Sequence, residues 1–134
     1  MFSLTQKVLF KHCDPAGIVF YPRYFEMLND IVEEFFDSTL NMPFRGMHPD
    51  NGIPTAQISA TFSAPSRLGD VLHLDLEITE LGRSSMKFGF ATHCDGELRF
   101  SAKSVVVFVD KHGKSTPWPD ALRQTIQTQM HGDN

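Results

Sequence analysis

The sequence predicts an α+β fold in which one long buried helix lies against a curved antiparallel sheet of about five strands. Three observations carry this. Apolar residues recur at helical spacing between Tyr24 and Phe36, the pattern switches to a period of two after a loop rich in Pro, Gly and Asn, and Asp95-Gly96 separates two alternating segments.

Taken in order, Phe2 to Phe10 supplies a strand. Tyr24, Phe25, Met27, Leu28, Ile31, Val32, Phe35 and Phe36 then form a doubled helical stripe, wide enough to be buried along its length. Pro22 suits the first turn of that helix, where a missing N–H costs nothing, and Pro43 lies beyond an expected end near Leu40. Glu26, Asp30, Glu33, Glu34 and Asp37 read as its solvated face. Ala56, Ile58, Ala60, Phe62 and Ala64 alternate with polar residues as a half-buried strand. Leu72, Leu74, Leu76 and Ile78 form the next, and Met86, Phe88 and Phe90 another, with Gly82 between them. Asp95-Gly96 is a tight hairpin signal. The last strand alternates from Leu98 and becomes continuously apolar from Val105 to Val109, as for a segment buried on both faces. A short helix with Leu122, Ile126 and Met130 on one face follows Pro119.

A chain of 134 residues fits a single domain, 1–134, and its 41% hydrophobic and 21% charged residues are ordinary globular usage. No apolar run is long enough to span a bilayer, and Met1 to Lys7 lacks the basic start and apolar stretch of a signal peptide, so a cytoplasmic protein without membrane association is expected. A net charge of −4 offers no basic field for nucleic acid. Cys13 and Cys94 form no CxxC, and neighbours on extended backbone point to opposite sides, so His12, Cys13 and Asp14 suit packing better than a metal site.

The chemistry lies in His12-Cys13-Asp14-Pro15-Ala16-Gly17-Ile18-Val19-Phe20-Tyr21-Pro22. On its residues alone, Asp14 to Gly17 is a turn in which Pro15 sets φ and Gly17 permits a left-handed backbone. This turn feeds a helix start, where free N–H groups and about half a positive charge face outward. A thioester carbonyl placed there would be polarised as its oxygen becomes negative. The run resembles the Asp-Pro-Ala-Gly branch of the 4-hydroxybenzoyl-CoA thioesterase family, and the similarity extends to Gly69-Asp70-Val71-Leu72 and to Arg83-Ser84-Ser85.

That resemblance implies a hotdog fold and an acyl-CoA thioesterase acting without a cofactor, coenzyme A being part of the substrate. It makes Asp14 the catalytic carboxylate and the Tyr21 backbone N–H the oxyanion donor. Asp14 either attacks the thioester to give a mixed anhydride or activates a water, and the sequence leaves both open. Matching the motif without gaps sets Asn29 where the family has the Asp that receives a 4-hydroxyl, Phe44 at a pocket Trp, and Ile53 at a Thr. The acyl pocket is therefore expected to be more apolar, taking an aromatic or medium-sized acyl group. Arg83 matches a coenzyme A contact, with Lys87, and Lys103 beside it, compensating for Ser84 in place of a basic neighbour. Homodimers or homotetramers are implied. A short-chain aliphatic acyl-CoA thioesterase and a non-catalytic acyl-CoA binding module are the alternatives. Pro22 after the motif Tyr, where the aliphatic group tends to show His, favours the aromatic branch.

Overall fold

A computed structural model describes residues 1–132. The elements are β1 (Phe2–Lys7), α1 (Pro22–Glu34), α2 (Phe44–Met47), β2 (Asn51–Gly52), β3 (Thr55–Phe62), β4 (Val71–Leu81), β5 (Ser85–Cys94), β6 (Glu97–Val107), β7 (Val109–Asp110) and α3 (Asp120–Gly132). Five strands form one antiparallel sheet in the order β1-β4-β5-β6-β3, and β2 pairs with β7 in a separate two-stranded ribbon. This is the hotdog arrangement, with α1 as the filling.

Alternation decides which side chains meet the helix. Leu72, Leu74, Leu76 and Ile78 of β4, Met86, Phe88 and Phe90 of β5, and Phe100, Ala102 and Val106 of β6 are all buried, facing Tyr24, Met27, Leu28, Ile31 and Val32 of α1. The Tyr24 ring stacks on Phe100 with centroids 4.6 Å apart, and Phe35 meets Phe88 edge-on at 6.4 Å. Each such aromatic contributes roughly 2 to 3 kcal/mol through removal from water. Beyond Glu34 the helix widens into a π-type turn over Phe35–Thr39, which delivers both Phe35 and Phe36 to the core.

Asp95 and Gly96 have φ of 51° and 79°, the paired positive values that a two-residue hairpin of matching twist needs. Arg123 of α3 donates to the Gly82 carbonyl at 2.6 Å, and the Trp118 indole donates to Ser85 O at 3.0 Å. Leu122 and Ile126 are buried, so the thin apolar stripe is enough to seat this helix beside β4.

Three expectations need correction. The first strand stops at Lys7, because a one-turn helix at Phe10–His12 redirects the chain. The run from Val105 is interrupted at Phe108: Val109 leaves the main sheet for the ribbon, and Val105 and Val107 are only partly covered. Strand β3 is not half-buried. Ile58 is 45% and Phe62 48% exposed, because β3 is a sheet edge with no strand beyond it, although Phe62 still meets Tyr24 and Phe25 of α1 at 6.0 and 6.3 Å.

Candidate active site

The Asp14 motif folds into a small hairpin in front of α1. Cys13 bridges Val19, the Asp14 N–H bonds the Ile18 carbonyl at 3.0 Å, and the Phe20 N–H bonds the His12 carbonyl at 2.9 Å. Gly17 sits at the tip with φ 81°, a left-handed conformation that a side chain would strain, and its N–H closes the turn onto Asp14 O at 2.9 Å. The Asp14 carboxylate accepts the Ala16 N–H through Oδ1 at 2.9 Å. Its Oδ2 has no hydrogen bond among the described residues, so one oxygen fixes the rotamer and the other is left for chemistry.

Tyr21 immediately precedes α1, and Pro22 is the first helical residue. The Tyr21 N–H finds no acceptor among the described residues, whereas the Phe20, Arg23 and Tyr24 N–H groups are all paired. A free donor therefore points out of the positive end of a 13-residue helix, on the same short segment as Asp14.

A network centred on Ser66 and Arg99 ties this hairpin to the rest of the fold, and the sequence reading did not single it out. Val19 N–H bonds the Ser66 carbonyl at 2.8 Å, and the Tyr24 hydroxyl bonds Ser66 Oγ at 2.8 Å. Arg99 donates to Ser66 Oγ at 3.3 Å, to the Pro65 carbonyl at 3.1 Å and to Asp70 at 2.8 Å. The Arg67 backbone N–H, and then the Arg99 guanidinium, hold the Asp70 carboxyl below the usual range, and Asp70 in turn raises Arg99. Burial pushes the Tyr24 hydroxyl up. The polar run Ser66-Arg67 just before Gly69-Asp70 was the available signal, but its partners are 29 to 42 residues away in sequence.

His12 is buried, and its Nδ1 accepts the Leu9 N–H at 2.9 Å, so it staples the turn that precedes the hairpin. Burial, then Lys11, lowers its pKa below the ordinary 6.5. The depressed value means that its stabilisation is complete above pH 6.5 and is lost as pH falls through the folded-state value. Urea midpoints of wild type should accordingly drop as pH falls below 6.5, and part of that slope should vanish in His12→Asn, whose amide oxygen can replace Nδ1.

A cavity of about 550 Å³ opens between α1 and the sheet. Asn29, Phe44 and Ile53 all line it, together with Leu28, Val32 and Phe90. Its wall also includes His48 and Ser104, which sequence reasoning passed over; Ser104 could have been noticed as the one hydroxyl on the inward-facing parity of Phe100, Ala102 and Val106. Asp14 and Tyr21 do not line this cavity. Phe25 does, one helical turn or about 6 Å along α1 from Tyr21, and Phe62 touches both rings, at 6.3 and 5.9 Å. Phe62 thus links the Tyr21 ring to the cavity lining at Phe25.

Arg83 lies exposed in the β4–β5 turn. Lys87 projects from the face of β5 opposite to Met86 and Phe88, ion-paired with Glu80 at 2.8 Å, and shares a surface groove there with Lys103. Within one chain neither Arg83 nor Lys87 joins the cavity. No group of His, Cys, Asp and Glu among the described residues has a metal-binding arrangement, and no helix is long and apolar enough to cross a membrane.

The model of the thioesterase-like superfamily matches residues 8–126, a span running from the end of β1 into α3. The chain belongs to that superfamily. Membership places it among enzymes that hydrolyse thioesters. It is 31% identical over 86 residues to a 4-hydroxybenzoyl-CoA thioesterase from Pseudomonas sp. strain CBS-3, a match covering 62% of this chain and 61% of that protein. A 1,4-dihydroxy-2-naphthoyl-CoA hydrolase from Synechococcus elongatus is 22% identical over 133 residues, covering 94% of this chain and 95% of that one. The structure of a Staphylococcus aureus protein in complex with CoA superposes with a TM-score of 0.91 at 18% identity, covering 97% of this chain and 84% of the other.

Proposed function

We propose that this thioesterase hydrolyses an aromatic or medium-sized acyl-CoA to the free acid and CoA, with Asp14 as the catalytic carboxylate and the Tyr21 N–H as oxyanion donor. The observation that carries the reading is a carboxylate with one oxygen free of hydrogen bonds and a helix-start N–H without an acceptor among the described residues, both on one short segment that Phe62 joins to the lining of a largely apolar cavity. The acyl group lies along Asn29, Phe44 and Ile53, its carbonyl returning to Tyr21. Relatives acting on hydroxybenzoyl-CoA and dihydroxynaphthoyl-CoA support an aryl group of that size.

In the proposed reaction Asp14 either attacks the acyl carbon, expelling the CoA thiolate and leaving a mixed anhydride that water opens to the acid and free Asp14, or withdraws a proton from the water that attacks the acyl carbon as the thiolate leaves. The helix-start N–H lowers the cost of the negative oxygen formed between these steps. No metal or cofactor is needed for either route.

The assembly we propose is a homodimer or homotetramer with coenzyme A crossing between subunits. Two features support it: the unpaired edge of β3 with Ile58 and Phe62 uncovered, and the separation of Arg83 and Lys87 from the cavity within one chain. A second copy can supply those cations to the nucleotide end. The test is thiol release from benzoyl-, hydroxybenzoyl-, phenylacetyl- and aliphatic acyl-CoA. Turnover of aryl-CoA above the aliphatic members is expected, and a preference for short aliphatic chains would replace this reading.

A further inference from the structure

The cavity wall is apolar except at four side chains, Asn29, His48, Thr55 and Ser104, and two of these are held in a way that calls for a ligand. Ser104 is only 6% exposed and points inward between Ala102 and Val106. Its hydroxyl makes no protein hydrogen bond among the described residues and opens onto the cavity, so one donor and two lone pairs are offered to whatever occupies it. Nothing in the packing requires a hydroxyl there, since both neighbours on that face are aliphatic.

His48 stands at the exposed rim. Its Nδ1 lies 2.9 Å from the Phe44 carbonyl, and a carbonyl only accepts, so Nδ1 carries the proton and Nε2 presents a lone pair when the ring is neutral. The ring is fixed edge-on against Phe44 at 5.8 Å and lies over Gly52, where an added Cβ would come within 3.6 Å of Nε2. A pre-set acceptor and an unpartnered buried hydroxyl therefore face one cavity, between walls that suit an aromatic ring.

We propose that Ser104, with His48 Nε2 at the rim, selects the acyl group by hydrogen-bonding a hydroxyl on its ring, a task that the neutral Asn29 of the helix does not carry alone. This rests on the thioesterase reading above. Ser104 and His48 touch the part of the substrate that does not react, so they govern specificity and leave the chemistry to the helix mouth. A site equipped in this way favours the hydroxylated ligand because its deoxy analogue leaves the buried hydroxyl unpaired.

The experiment compares kcat/KM for benzoyl-CoA and its 2-, 3- and 4-hydroxy forms in wild type, Ser104→Ala and His48→Leu. The expected result is that at least one hydroxylated form is preferred over benzoyl-CoA about tenfold or more in wild type, and that Ser104→Ala brings this ratio most of the way to one. Absence of any preference, or a preference undiminished in both variants, overturns the proposal. Dissociation constants for phenacyl-CoA and hydroxyphenacyl-CoA thioethers, which cannot be hydrolysed, give the same comparison without turnover. A binding preference lost in Ser104→Ala alongside a chain inactive on every thioester would sustain this inference and defeat the proposed reaction; turnover without preference would do the reverse.

Discussion

Asp14→Asn is expected to lower kcat for thioester hydrolysis by about three orders of magnitude with little change in KM or thermal midpoint. The substitution is unusually clean here. Asn keeps an Oδ1 to accept the Ala16 N–H, so the turn that orients the side chain survives, and only the charge and the free second oxygen are lost. Loss of rate with an intact fold would therefore report on chemistry. Hydrolysis in oxygen-18 water under single turnover tests the anhydride route: label entering the Asp14 carboxyl requires a mixed anhydride opened at the Asp14 carbonyl, whereas label in the acid product alone is compatible with both routes. Turnover of Asp14→Asn equal to wild type would remove Asp14 from the mechanism.

Arg99→Ala carries the second large effect, a destabilisation of about 2 to 3 kcal/mol in urea unfolding at pH 7 accompanied by a fall in kcat. The Arg99 side chain is 11% exposed and its Asp70 partner 28%, which puts the pair between a surface bridge and a buried one. Removing the guanidinium also frees the Pro65 carbonyl and one side of Ser66, the residue to which the Asp14 hairpin and Tyr24 are tied. Arg99→Lys restores charge without the fork and should recover only part of both losses. Since the Asp70 pKa is depressed in the folded state, its contribution is fully present above the ordinary value of 3.8 and disappears as pH falls through the folded value. The penalty of Arg99→Ala should shrink in acid, and a penalty that is the same at pH 3 and pH 7 would show that the ion pair is not its origin.

What could be read in the sequence divides along a physical line. The α1 stripe, the alternation of β4 to β6, the Asp95-Gly96 turn and the left-handed Gly17 depend on residues close together in the chain, where period and backbone preference leave a local trace. Asn29, Phe44 and Ile53, which the motif register of the family resemblance puts together, do line one cavity. Illegible were the Ser66–Tyr24 and Arg99–Asp70 contacts, which exist only after β6 has folded back beside the loop after β3. The exposure of β3 was hidden for another reason: alternation reveals which residues share a face, but nothing about whether the strand ends up at the edge of the sheet. The π-type turn that inserts both Phe35 and Phe36 into the core has no distinctive residue pattern either.

The uncovered edge at β3 also bears on how the protein behaves on dilution. Burying Ile58 and Phe62 against a second copy would tie part of the folding free energy to association, so the midpoint of thermal unfolding would rise with protein concentration by mass action. The aromatic contact of Phe62 with Tyr21 and Phe25 makes that same surface one wall of the cavity mouth. Specific activity would then fall below a threshold concentration, giving the enzyme a built-in dependence on its own abundance.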